Sequence, residues 1–207
     1  MKAKKMVQVL SMIVLGLLFV SCAGRLNYNE VAPNAERFKP KNVVVLPVKM
    51  PEGLDLEAET AGQVITDAVT KTRQFDNVID PATARSQMAS NNELQDAVVA
   101  YLSKLWTVGV SDKAVSKKIG EIYHSDTFIV TDVSRWGYMR YGGESYAEVS
   151  ISIKMVDAAT GTVIWKAGHT QQQPYSIVKP KLAAMSRQLT AFIFRFMPRG
   201  TSVQNKG

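Results

Sequence analysis

The spacing of apolar positions changes several times along this chain, and each change predicts a different element. Residues 7–20 are apolar apart from Gln8, Ser11 and Gly16. Residues 23–41 show no period; Asn27, Asn29, Pro33, Asn34 and Pro40 punctuate them, and a linker is predicted over 22–41. Val43 to Leu46 is apolar on both faces, as in a central buried strand, and Pro47 ends it. Over 57–73 the period becomes helical, with Ala61, Ile65, Ala68, Val69 and Thr72 on one face and Thr60, Gln63, Asp67 and Lys71 opposite. A short strand at 75–79 is closed by Asp80-Pro81, and a short helix follows over 83–89. The next helix starts at Asn92 and carries Leu94, Val98, Tyr101, Leu102 and Leu105 on one side. Ser111 or Asp112 caps another, which runs to Tyr123 with Val115, Ile119 and Ile122 inward.

Beyond it the period drops to two. A strand is predicted over 126–136, and 146–156 alternates Val149, Ile151, Ile153 and Met155 against Ser150, Ser152 and Lys154. Residues 157–161 form a turn, and a partner strand returns over 162–172 until Pro174 stops it. A last helix over 179–197 buries Leu182, Met185, Leu189, Phe192, Ile193 and Phe196, and 198–207 is a polar, flexible tail. This order predicts one α/β domain over 42–197: a mixed sheet with an antiparallel hairpin in its C-terminal half and helices packed on it.

The apolar run at the start has a separate meaning. Lys2, Lys4 and Lys5 precede it, Ser21 is a small residue at its end, and Cys22 follows as the sole cysteine of 207 residues. A run this short, bounded at once by polar sequence, reads as a signal peptide over 1–21 rather than a membrane span. Phe19-Val20-Ser21-Cys22 resembles the lipobox of bacterial lipoproteins, although Phe19 stands where Leu is usual. The resemblance implies a lipid-attachment site at Cys22, with diacylation of its sulfur, cleavage after Ser21, and acylation (palmitate, for example) of the new amino group. Three chains on one residue exceed the two signals that stable anchoring requires. Ala23 follows where an Asp commonly retains lipoproteins at the inner membrane, so the expected location is the outer membrane, on its periplasmic side.

Charge and cysteine content narrow the classes. Of the formal charge of +7, three units belong to the leader, so the chain from Cys22 onward carries +4, too little to argue for nucleic acid. No cysteine is left for a disulfide or a thiolate metal site, so no metal and no cofactor is expected. His124 and His169 lie on different predicted elements and read as polar residues near element ends. H-E-x-x-H, G-x-S-x-G, the P-loop pattern and G-x-G-x-x-G do not occur.

The run from Ile153 to Trp165, together with Thr127 to Val133 and the helix before it, resembles periplasmic lipoproteins of the curli-secretion CsgG type. Relatives of that superfamily include lipoprotein activators of penicillin-binding proteins and the lipoprotein of Pel polysaccharide export. Its members end a strand in V-D-x-x-T-G-x-x-x-W, matched here by Val156-Asp157, Thr160-Gly161 and Trp165. The resemblance implies the same domain fold over 43–197. The curli pore builds its barrel from long extra hairpins, and the only insert here, 137–145, is too short, so pore formation is not expected.

The stretch with most binding character is 136–143. Trp136, Tyr138, Arg140 and Tyr141 on a glycine-rich loop are the residue types of interface hot spots and are candidate partner-binding residues. The alternative is that Trp136 and Tyr138 complete the apolar face of the sheet. The expected function is a lipid-anchored, non-enzymatic binding or assembly module for a larger envelope machine of secretion, export or wall synthesis. Its partners would be the membrane, an envelope protein and possible further copies of itself. The alternatives are a wall or glycan hydrolase using Asp126, Asp132 or Glu144, and a structural lipoprotein exposed at the cell surface.

Overall fold

The computed structural model describes residues 25–199; the predicted signal peptide, Cys22 and most of the predicted tail lie outside that range. Six strands form one mixed sheet in the order β1-β6-β5-β4-β2-β3. They are β1 (Tyr28–Val31), β2 (Asn42–Val45), β3 (Asn77–Ile79), β4 (Thr127–Tyr141), β5 (Glu144–Asp157) and β6 (Val163–Tyr175). The helices are α1 (Glu57–Thr72), α2 (Pro81–Ala89), α3 (Asn92–Thr107), α4 (Lys113–Tyr123) and α5 (Leu182–Phe194). The strand β2 lies parallel to both β3 and β4, while β4, β5, β6 and β1 are joined antiparallel. The α/β class, the mixed sheet and the late antiparallel hairpin are as predicted.

The doubly apolar strand explains the layering. Val43 and Val45 face α1 and α5, in a core that includes Ile65, Val69, Met185, Leu189 and Ile193. Val44 and Leu46 face the opposite way, into a second core made with α3 and α4 around Leu94, Val98, Tyr101, Phe128 and Ile119. The helix starts have local causes. Asp80 accepts from the amides of Ala82 and Thr83, Asn91 from that of Leu94, and Asp112 from those of Ala114 and Val115.

The V-D-x-x-T-G-x-x-x-W stretch is a turn with a socket. The Asp157 carboxylate accepts from the Ala159 amide at 2.9 Å and the Thr160 hydroxyl at 2.6 Å. Gly161 has φ of +70°, a conformation L side chains rarely take. Helix α4 grips the turn: the Ser116 hydroxyl donates to the Ala158 carbonyl at 3.0 Å, and a Cβ at Gly120 would lie 2.7 Å from Ala158 Cβ. Trp165 is fully buried, and its indole N–H donates to Asn29 Oδ1 at 2.8 Å.

Four expectations are corrected. The segment read as a linker is folded from Leu26 onward. Leu26 is in the core, β1 pairs along the edge of β6, and Ala35 is buried in a 3₁₀ turn, Ala35–Arg37. Its asparagines, read as breakers, hold it in place: Asn29 takes the Trp165 proton and Asn27 lies 2.7 Å from His169 Nδ1. Next, 137–145 is not a loop. The strand β4 continues to Tyr141, and Gly142 and Gly143, at φ of +56° and +89°, make a two-residue hairpin turn. Third, β6 passes through Pro174, which pairs with Tyr146 on one side only, since β1 has ended by Gly168; at that free edge a missing N–H costs no ladder bond. In α5, Phe194 rather than Phe196 is buried, its ring 5.7 Å from that of Trp165.

Candidate functional site

A bulge decides where the candidate aromatics go. Register between β4 and β5 shifts between Val133 and Arg135, so Ser134 is the extra residue and the facing parity of β4 reverses. Before it, Ile129 and Val133 face α1 and α5; after it, Trp136 takes that side, opposite Val149. Trp136 is buried at 8% exposure, so the apolar-face alternative holds for it. Tyr138, Arg140 and Tyr141 stay accessible. The Tyr138 hydroxyl donates to the Pro180 carbonyl at 2.8 Å, its ring meets that of Tyr175 edge-on at 5.6 Å, and Lys179 Nζ stands 4.8 Å from its centroid. Arg140 lines an open groove of about 720 Å³ with Glu144, Tyr146, Pro174 and Tyr175. The Glu144 carboxylate accepts from the Tyr146 hydroxyl.

The opposite face of the antiparallel strands is polar, and its groups satisfy one another. Arg135 lies 3.7 Å from Glu148, a carboxylate only 7% exposed, which also accepts from Gln172 Nε2 at 2.7 Å. Ser150 and Thr170 share a hydrogen bond at 2.8 Å, and Tyr28 and Ser152 share another. Further down, Lys49 pairs with Asp132 at 3.5 Å and lies 5.3 Å from the Trp106 ring centroid. Lys166 pairs with Glu30 at 3.0 Å. Lys154, between them, has its ammonium pushed below the ordinary lysine range, by burial first and then by the neighbouring Lys166. A cleft of about 290 Å³ is lined by Glu30, Val31, Gly109, Lys154, Val163 and Lys166. Its lysines suit an anionic group or a facing acidic surface. This cluster escaped the sequence reading because its members come from separate segments, and a lysine in an alternating strand reads as solvent-facing.

The hydrolase carboxylates are not brought together. Asp126 accepts from the Lys41 and Asn42 amides at the foot of the sheet, Asp132 pairs with Lys49 halfway up, and Glu144 sits at the hairpin tip. Asp126 immediately precedes β4 and Asp132 lies on it, six residues on, a separation of about 20 Å at the rise of a strand. His124 occupies the left-handed C-cap of α4, while His169 lies on β6 with its ring 5.4 Å from Phe192. Among the described residues, no group of three or more His, Cys, Asp or Glu is placed to hold a metal ion, and no helix is long and apolar enough to cross a membrane.

Comparison with known proteins gives likeness at the level of fold. The PelC dodecamer from Paraburkholderia phytofirmans is 15% identical, over 84% of this chain and 97% of that one, with a TM-score of 0.50. Lipoprotein GNA1162 from Neisseria meningitidis is 17% identical over 70% and 92% of the two chains, with a TM-score of 0.42. Protein XCC0632 from Xanthomonas campestris, of the DUF330 family, is 11% identical over 81% and 87%, also at 0.42. No protein-family model and no curated protein matches the chain. At 15% identity the likeness to PelC speaks for a shared fold, not a shared activity.

Proposed function

We propose that this protein is an outer-membrane lipoprotein, anchored through acylated Cys22 on the periplasmic side. It acts without catalysis as an assembly subunit of a cell-envelope machine. The observation that carries this reading is the fold, which spans nearly the whole PelC chain, a protein whose solved form is a dodecamer. The lipobox, the V-D-x-x-T-G-x-x-x-W turn and that fold together support membership of the CsgG-like and penicillin-binding-protein-activator lipoproteins. The polar face of β4, β5 and β6 is the surface proposed to meet neighbouring copies or an envelope partner. Its polar groups pair with one another, and it carries Lys154 and Lys166 beside Glu30 in a shallow cleft, so an acidic counterpart fits it. The hydrolase reading is left without a gathered pair of carboxylates.

The test is site-specific photo-cross-linking in intact envelopes from Ser150 and from Lys166, beside a mass determination of the detergent-purified full chain. A multiple of the chain mass, or one specific cross-linked partner that is lost with Cys22→Ser, is expected. A monomer that cross-links to nothing at either position overturns the reading.

A further inference from the structure

The end of the sheet bearing the β4–β5 turn carries an unusual surface. Ile177 and Val178 stand adjacent in the loop between β6 and α5, 91% and 81% exposed. Single exposed apolar residues are ordinary; two neighbouring aliphatic side chains held almost wholly in solvent are less so. The loop is fastened rather than loose, because the Pro180 carbonyl takes the Tyr138 hydroxyl and Lys179 rests over the Tyr138 ring. Lys179 and Lys181 follow the pair in sequence, and Arg140, from the hairpin tip, lines one groove with Ser176, which precedes the pair. Among the described residues, Arg140, Lys179 and Lys181 take part in no ion pair, and Glu144 is the one acid at the tip of the hairpin. Exposed aliphatic side chains next to lysines, on a loop fastened to a tyrosine, match the composition that enters the headgroup region of an anionic bilayer.

The course of β1 says which end faces the membrane. The strand β6 ascends from Val163 to Tyr175 at this end, and β1 runs against it, Val31 opposite Trp165 and Tyr28 opposite Gly168. Followed back toward the N-terminus, the chain therefore climbs toward Tyr175, with Asn27 beside His169 and the exposed cation Arg25 beyond it. Cys22 is three residues further, within about 10 Å of Arg25 at the reach of an extended chain.

We propose that Ile177 and Val178, with Lys179, Lys181 and Arg140 beside them, form a membrane-contact surface that seats this end of the domain on an anionic phospholipid leaflet. It rests on the acylation of Cys22 proposed above, which supplies the anchor; the loop sets which way up the domain stands.

The test uses the full chain reconstituted in vesicles of phosphatidylethanolamine and phosphatidylglycerol. An acylated Cys22 has no free thiol, so the parent chain takes up no thiol-specific fluorophore; labelling of the parent would show that the anchor reading has failed, independently of the loop. A fluorophore placed through Ile177→Cys is then compared with one through Ala159→Cys, at the β5–β6 turn on the opposite end of the sheet. Strong quenching by lipids brominated in their acyl chains at position 177 and none at 159 is expected. Because both residues of the pair are exposed, Val178→Asp is tolerated by the fold. With Val178→Asp added, partition of the labelled loop into the bilayer should fall at least about tenfold, since one buried aliphatic side chain contributes more than that factor requires. Equal quenching at 177 and 159, or efficient oxidative cross-linking between copies through position 177, overturns the proposal; the latter assigns the pair to a contact between copies.

Discussion

The lower and upper halves of the β4–β5 hairpin are made by the same two strands and are stabilised in different ways. In the lower half, Phe128, Val130 and Val156 press into α3 and α4 on one face while Ile129, Ile153 and Met155 meet the other core. In the upper half only one face is apolar, through Trp136, Ala147 and Val149. Its other face is a ladder of polar pairs from Arg135–Glu148 to Ser150–Thr170. Burial on both sides makes the lower half intolerant of volume change. The Ser150–Thr170 hydrogen bond makes the upper half tolerant there, because that half-buried pair exchanges for water at small net cost. The scaffold and the surface available for recognition are thus separated along one strand pair.

Substitutions should divide along that line. The largest loss is expected from Phe128→Ala, which empties a fully buried site beside the edge-on Tyr101 ring; about 3–5 kcal/mol should disappear from the urea unfolding free energy. Gly120→Ala comes next, at about 1–3 kcal/mol, because its methyl group has no room against Ala158 and α4 must lift off the turn. A smaller and pH-dependent effect belongs to Tyr123, whose hydroxyl donates to the Ala84 carbonyl and whose pKa is pushed up by burial to about 12. The unfolded chain ionises near the ordinary value of about 10. The stabilisation is therefore complete below that pH and is lost as pH rises toward the folded value. Tyr123→Phe should lose about 1 kcal/mol at neutral pH and show a shallower alkaline decline in thermal melts. Ser150→Ala, in the upper half, should stay within about 0.5 kcal/mol of the parent. A loss there as large as at Gly120 would erase the distinction between the halves.

Periodicity made the lower half legible. The doubly apolar 43–46, the helical stripes of α1, α3 and α4, and the alternation of Val149 to Met155 each encode one face, and one face is what burial selects. What the pattern could not carry was information held by single residues or by partners distant in sequence. The bulge at Ser134 has no periodic mark, and Gly142-Gly143 read as slack although the pair is a strong hairpin signal. Asn27 and Asn29 have turn propensity in isolation, and only Trp165 and His169, about 140 residues away, convert them into anchors for a strand. The lysine cluster was hidden for the same reason. The candidate aromatics were half legible: only Trp136 fell within the predicted strand, Tyr138 and Tyr141 read as loop, and which of them would be buried depended on the bulge.

The seating of β1 also bears on how anchored copies would find one another. A free segment over 23–41 would reach about 60 Å and let each domain hang at any height or tilt. With β1 clipped to β6, the chain is held to the domain from Leu26 onward. Were Cys22 acylated as proposed, domains tethered so closely to a common plane would share one level, and their polar sheet faces would come into alignment without a search along the membrane normal. Diffusion would then be confined to two dimensions with a nearly fixed vertical register, which would raise the effective concentration of each face for its counterpart. An edge strand four residues long would in this way act as a spacer that sets the geometry of encounter.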